Sequence, residues 1–117
     1  MPAWTLTIRS GARVQRERYE TLDAALAAMR AHANAIRARG RLGPAQAFRE
    51  YAPGERVQAR LELTAGGWLR RRHGGLDVMG DGALVPYVGA IRKRRLEPGR
   101  GEDAFAAIAA ALSQARG

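Results

Sequence analysis

The chain has 117 residues, a formal charge of +9 and no cysteine, and its sequence isoelectric point lies near 11.4. One domain's length suffices for a core without staples, and the lack of cysteine removes disulfides, thiolate catalysis and cysteine-ligated zinc together. The longest mostly apolar stretch, residues 104–112, is too short to cross a bilayer, and the chain start passes into alternating sequence without a signal-like apolar run. A single-domain, soluble cytoplasmic protein without a membrane partner is therefore expected.

The charge has the footprint of a nucleic-acid binder. Lys93 is the only lysine, and arginine beside abundant alanine and glycine is what GC-rich coding produces. Arginine identity thus says little, whereas the excess of 20 basic over 11 acidic residues still asks for an explanation.

Residues 4–9 alternate with period two, with Trp4, Leu6 and Ile8 on a core side and Thr5, Thr7 and Arg9 opposite. Ser10, Gly11 and Ala12 turn the chain into a polar return strand over residues 13–19, suited to a sheet edge. Thr21 is a good N-cap, Asp23 favours the first turn, and Leu22, Leu26, Met29, Ala33 and Ile36 form one stripe of a helix over residues 21–39. Residues 46–51 predict a further strand. Residues 57–63 alternate cleanly, burying Val57, Ala59, Leu61 and Leu63 and turning Gln58, Arg60 and Glu62 the other way.

Residues 68–95 predict a long hairpin about Asp81-Gly82, the pair that a two-residue type I′ loop favours. With Gly80 opposite Ala83, Arg70 faces Lys93 and Arg71 faces Arg92. The runs Arg70-Arg71-Arg72-His73 and Arg92-Lys93-Arg94-Arg95 become neighbours. Like charges directly opposite are destabilising, so a polyanion or nearby carboxylates must offset them. In this register Leu76, Val78, Val85, Tyr87 and Ile91 share the core face, while Arg71, His73, Asp77, Arg92 and Arg94 share the exposed one. Pro86 cannot donate to a ladder and points to a sheet edge, and Gly74-Gly75 suggests a bulge. A final helix over residues 101–115 carries Phe105, Ile108 and Leu112 on one stripe.

Catalytic and cofactor signals are weak, and no cofactor is expected. His32 and His73 are the only histidines, and neither has ligand partners at metal spacing. Asp77 reads as charge compensation within the hairpin, Glu50, Glu55 and Glu62 as solvated. Gly74-Gly75 and Gly80-Asp81-Gly82 match no phosphate-loop pattern. Trp4, Phe48, Tyr87 and Phe105 fall where core is expected, which leaves Trp68 as the one candidate stacking platform.

Residues 4–31, with Trp4 on a strand, Arg9-Ser10-Gly11, basic Arg13, Arg16 and Arg18, Tyr19-Glu20-Thr21 and an alanine-rich helix, resemble the arm-type DNA-binding domain of tyrosine recombinases. The resemblance implies a basic sheet against DNA with one helix behind it. It lacks the third strand which that family places before the helix.

The chain therefore predicts an α+β fold, a single antiparallel sheet of about six strands with two helices on one face. The leading functional expectation is a non-enzymatic module that binds nucleic acid or another acidic partner. Its contacts would come from Arg70, Arg71, Arg72, His73, Arg92, Lys93, Arg94 and Arg95, with Trp68 beside them. A structural or protein-interaction domain, homodimeric through an exposed strand edge, is the alternative. A small enzyme or ligand binder using His73 and Asp77 is the third class.

Overall fold

The computed structural model describes residues 4–40, 57–66, 72–89, 94–97 and 103–114. Their elements run β1 (Trp4–Ser10), β2 (Arg13–Tyr19), α1 (Leu22–Gly40), β3 (Val57–Ala65), β4 (Arg72–Met79), β5 (Leu84–Val88), β6 (Arg94–Arg95) and α2 (Ala104–Gln114). The strands form one antiparallel sheet in the order β2-β1-β3-β4-β5-β6. Both helices pack on the same side, α1 over β1 to β4 and α2 over β5 and β4. This is the expected α+β architecture. The predicted strand at residues 46–51 lies outside the described residues.

Alternation dictates which side is core. Trp4, Leu6 and Ile8 of β1, Ala59, Leu61, Leu63 and Ala65 of β3, and Leu76 and Val78 of β4 are all buried beneath the helices. Ala25, Met29, Ala33 and Ile36 of α1 and Phe105, Ile108 and Leu112 of α2 close the cluster from above. The alanines let α1 sit close to the sheet, while the large side chains supply most of the buried apolar area. Thr21 caps α1 as its sequence position predicts, accepting from Ala24 N at 3.1 Å. Asp103 does the same for α2, accepting from Ala106 N at 2.8 Å. Arg30 ties the helices together, bonding Asp103 at 2.9 Å with its guanidinium 4.4 Å from the Phe105 ring centre.

The hairpin between β4 and β5 departs from the expected register. Met79 N donates to Ala83 O at 2.8 Å and Gly82 N to Met79 O at 2.9 Å, so the loop is three residues, Gly80, Asp81 and Gly82. A two-residue type I′ loop would put Asp81 at positive φ, and no described non-glycine residue adopts one. Gly82 alone takes that conformation, at φ 91°, and the Asp81 carboxylate accepts from Ala83 N at 2.9 Å. The extra loop residue slips the pairing by one, so Leu76 faces Pro86 and Asp77 faces Val85. A slip of one exchanges faces. Leu84 and Val88 therefore join the helix-side core, and Tyr87 and Val85 turn to the other side.

β5 also ends sooner than expected. It stops at Val88 before Gly89, whose φ is 103°, and Arg94 and Arg95 return as a separate strand opposite Val88 and Tyr87. Thus β5 lies between Arg72 on β4 and Arg94-Arg95 on β6, and the hairpin does not set those basic residues side by side. Pro86 is interior to the sheet rather than at its edge. Its carbonyl accepts from Leu96 N at 2.9 Å, and its missing N–H falls on the side of the two-residue β6. The expected bulge at Gly74-Gly75 is absent from the paired register; the register shift lies in β3, between Val57 and Ala59. The strand missing from the recombinase-like segment comes after α1 instead of before it, as β3 paired with β1.

Candidate functional site

Neither helix covers the other side of the sheet. Cross-strand partners place its side chains in three rows, since directly opposed residues point the same way. One row reads Arg16, Thr7, Glu62, Gly75, Tyr87, Arg95; the second reads Val14, Arg9, Arg60, Asp77, Val85; the third reads Arg18, Thr5, Thr64, His73. In these rows five guanidinium groups share the face with two carboxylates.

The pairs expected of the long hairpin, Arg70 with Lys93 and Arg71 with Arg92, lie outside the described residues; among the described residues like charges oppose each other directly at Arg9 and Arg60. Each is offset by a carboxylate. Arg9 Nε donates to Glu62 Oε1 at 2.9 Å, and Arg60 grips Asp77 with Nε at 2.7 Å and Nη2 at 3.1 Å. The fork geometry is the strong form of this pair, and these hydrogen bonds push the Arg60 pKa higher still, against partial desolvation. His73 Nε2 lies 3.6 Å from the other oxygen of Glu62.

Beneath this charge layer lies Tyr87, only 4% exposed although it faces away from the helices. Its ring rests against Gly75: a methyl group added there would meet the Leu61 carbonyl and sit 2.7 Å from the Tyr87 hydroxyl. Glycine at this position is a packing requirement. The Arg60 guanidinium lies 5.7 Å from the ring centre, within cation–π range. Burial, with the negative field of Glu62 behind it, drives the phenol pKa well up, so Tyr87 is a neutral hydroxyl at physiological pH.

Charge compensation ends at the margins. Among the described residues Arg16, Arg18 and Arg95 are exposed and belong to no ion pair. From β2 to β6 this face spans five inter-strand spacings, roughly 24 Å.

Of the residues singled out by the sequence, Arg95 lies on this face, opposite Tyr87, and Arg94 lies beside it on β6. His73 joins the face but turns to Glu62 rather than Asp77. Arg72 pairs with Ala65 and so belongs to the helix side, at the end of β4. Trp68, Arg70, Arg71, Arg92 and Lys93 lie outside the described residues. Sequence reasoning missed Arg9, Arg16, Arg18, Arg60 and Glu62 as members of one surface. Their alternation was visible; the placement of β3 beside β1, which unites them, was not. Among the described residues no three of His, Cys, Asp or Glu come together as metal ligands would, and no described helix is long and apolar enough to cross a membrane. Comparison with protein families, with characterised proteins and with solved structures finds no match to this chain.

Proposed function

We propose that the chain is a non-enzymatic module that binds nucleic acid, with the sheet face opposite the helices contacting phosphates. The observation that carries this reading is the set of exposed guanidiniums without carboxylate partners among the described residues, Arg16, Arg18 and Arg95, bordering a face whose central charges are already neutralised. Backbone contact asks only for cations at spacings that phosphates can reach. Base stacking asks for exposed aromatic rings, and the ring that the described residues place on this face, Tyr87, is buried. Of the basic runs, Arg95 belongs to this face and Arg72 to the helix side, while Arg70, Arg71, Arg92 and Lys93, with Trp68, enter the reading from their sequence alone.

The test is fluorescence anisotropy of labelled duplex DNA, single-stranded DNA and RNA across a salt series. Three phosphate contacts give a slope of log affinity on log salt of about −2.7 on duplex. The variant Arg16→Glu/Arg18→Glu/Arg95→Glu should abolish that dependence while keeping the native unfolding transition, and Arg71→Glu/Arg92→Glu measures the share of the basic runs. Affinity unchanged in both variants would overturn the reading.

A further inference from the structure

On the helix side, at the end of the sheet bordered by β2, α1 leaves a cleft of about 550 Å³. Its polar lining is Ser10, Arg13, Gln15, His32, Arg39 and Gln58, over an apolar floor of Ile8 and Ile36. A volume of this size lies in the ordinary range of small-molecule sites.

Gln58 is the residue that marks it. Val57 pairs with Met79 and Ala59 with Val78, so Gln58 is the extra residue of a β-bulge. Simple alternation would send it to the uncovered face with Arg60 and Glu62. The bulge brings it to the cleft instead, where its Oε1 is buried with no hydrogen-bond partner among the described residues. Bulges that re-aim a side chain occur beside functional sites, and a buried polar atom left without a partner is destabilising until a ligand satisfies it. Either orientation of the amide addresses the same kind of ligand: the oxygen accepts from a hydroxyl, and the nitrogen donates to an anionic oxygen.

The rest of the lining is arranged for an anion. Arg13 and Arg39 approach from the β-hairpin and from the last turn of α1, where the Arg39 charge offsets the carbonyl end of the helix. His32 is held in place by Glu17, whose two oxygens lie 3.0 and 3.1 Å from Nε2. Tyr19 OH at 2.7 Å and Gln15 Nε2 at 2.9 Å both donate to the same carboxylate. That network turns the Glu17 carboxylate toward its three hydrogen-bonding partners, and Glu17 is not part of the cleft's lining.

We infer that this cleft binds a small phosphate monoester bearing a hydroxyl group, the phosphate held by Arg13 and Arg39 and the hydroxyl by Gln58. Two guanidiniums match a dianion, which a phosphate monoester is near neutral pH. The site is independent of the nucleic-acid reading, because Arg13 and Gln15 point to the opposite side of β2 from Arg16 and Arg18.

The test is an NMR titration of ¹⁵N-labelled protein with ribose 5-phosphate, ribose and inorganic phosphate, followed at the side-chain amides of Gln58 and Gln15. Ribose 5-phosphate should shift the Gln58 amide saturably, with each half-ligand binding at least roughly tenfold more weakly. Arg39→Gln and Gln58→Ala should each weaken binding by about tenfold, and because Arg39 is exposed its variant keeps the fold. No saturable shift at Gln58, equal binding of inorganic phosphate and ribose 5-phosphate, or an indifferent Arg39→Gln variant would overturn the proposal.

Discussion

Gly75→Ala is the most discriminating change in the sheet. In an unconstrained strand this substitution stabilises by about 0.4–1 kcal/mol, because it narrows the unfolded ensemble. Here the new methyl would meet the Leu61 carbonyl, a backbone atom of the neighbouring strand, and lie 2.7 Å from the Tyr87 hydroxyl and 2.9 Å from its ring carbon Cζ. The carbonyl belongs to the β3–β4 ladder and cannot swing away, so the ladder must open or Tyr87 must leave. Overpacking of this kind costs about 1–3 kcal/mol, and expelling a buried aromatic ring adds about 1.5–3 kcal/mol. The expected net loss, after the unfolded-state gain, is about 2–5 kcal/mol, or a melting temperature lower by on the order of 10 °C for a chain of this size. Denaturant unfolding of Gly75→Ala, Tyr87→Ala and the double variant separates the contributions. The double variant should be less destabilised than the two single losses added together, since removal of the ring relieves half of the clash. Gly74→Ala is the internal control: its methyl would lie 3.1 Å from Leu112 Cδ2 and 3.2 Å from the Tyr87 carbonyl, so its cost should be the smaller. A Gly75→Ala protein as stable as the parent would refute the packing of Tyr87 across β4.

Asp103→Ala removes the cap of α2 and the Arg30 partner together and should cost about 1 kcal/mol in urea unfolding, whereas Asp103→Asn, which keeps a capping oxygen, should cost less than half as much. Glu17 is held below its ordinary carboxyl value of 4.5, first by the Tyr19 hydroxyl and then by His32, against partial desolvation. Its contribution is complete above the unfolded value and lost as pH falls through the depressed folded one, so Glu17→Gln should flatten the loss of stability below pH 4.5 in urea midpoints measured across that range. Asp77→Asn breaks the charged fork on Arg60 and should cost about 1–2 kcal/mol, yet it frees a guanidinium on the proposed interface. Nucleic-acid affinity should therefore rise as stability falls, and a decrease in both would count against phosphate contact by this face.

Alternation made the fold legible. The period-two pattern of Trp4, Leu6 and Ile8 and of Ala59, Leu61 and Leu63 marks buried faces that the sheet confirms, and the stripe of α1 packs where it points. What alternation cannot supply is the offset between strands. Asp81-Gly82 suits a two-residue turn by composition, but the competing three-residue loop keeps Asp81 at negative φ and satisfies Ala83 N with its carboxylate. That local preference moved Tyr87 from the expected core face to the uncovered one. Strand order was illegible for a different reason: nothing local in residues 57–65 says that they pair with β1 as well as β4. The Arg9–Arg60 opposition follows only from that long-range choice, so Glu62 read as a solvated residue and Asp77 as compensation within its own hairpin rather than as the partner of Arg60 on β3.

The two proposed surfaces divide β2 by parity. Arg13 and Gln15 face the helix-side cleft, while Arg16 and Arg18 face away from it, because Arg13 opposes Ser10 and Gln15 opposes Ile8 whereas Arg16 opposes Thr7 and Arg18 opposes Thr5. An edge strand rich in charge also resists pairing with a second copy, so its arginines need no functional role to be tolerated there. What tolerance does not explain is their sorting. On the side away from the helices the described carboxylates sit in the middle of the sheet and the exposed guanidiniums at its borders. On the helix side the Glu17 carboxylate on β2 is occupied by three hydrogen-bonding partners. Arginines placed only to keep the edge soluble would show no such separation. Reversing Arg16 and Arg18 should therefore leave the cleft's titration intact, and neutralising Arg39 should leave the salt dependence on nucleic acid intact; a variant that weakened both alike would reduce both surfaces to the effect of net charge.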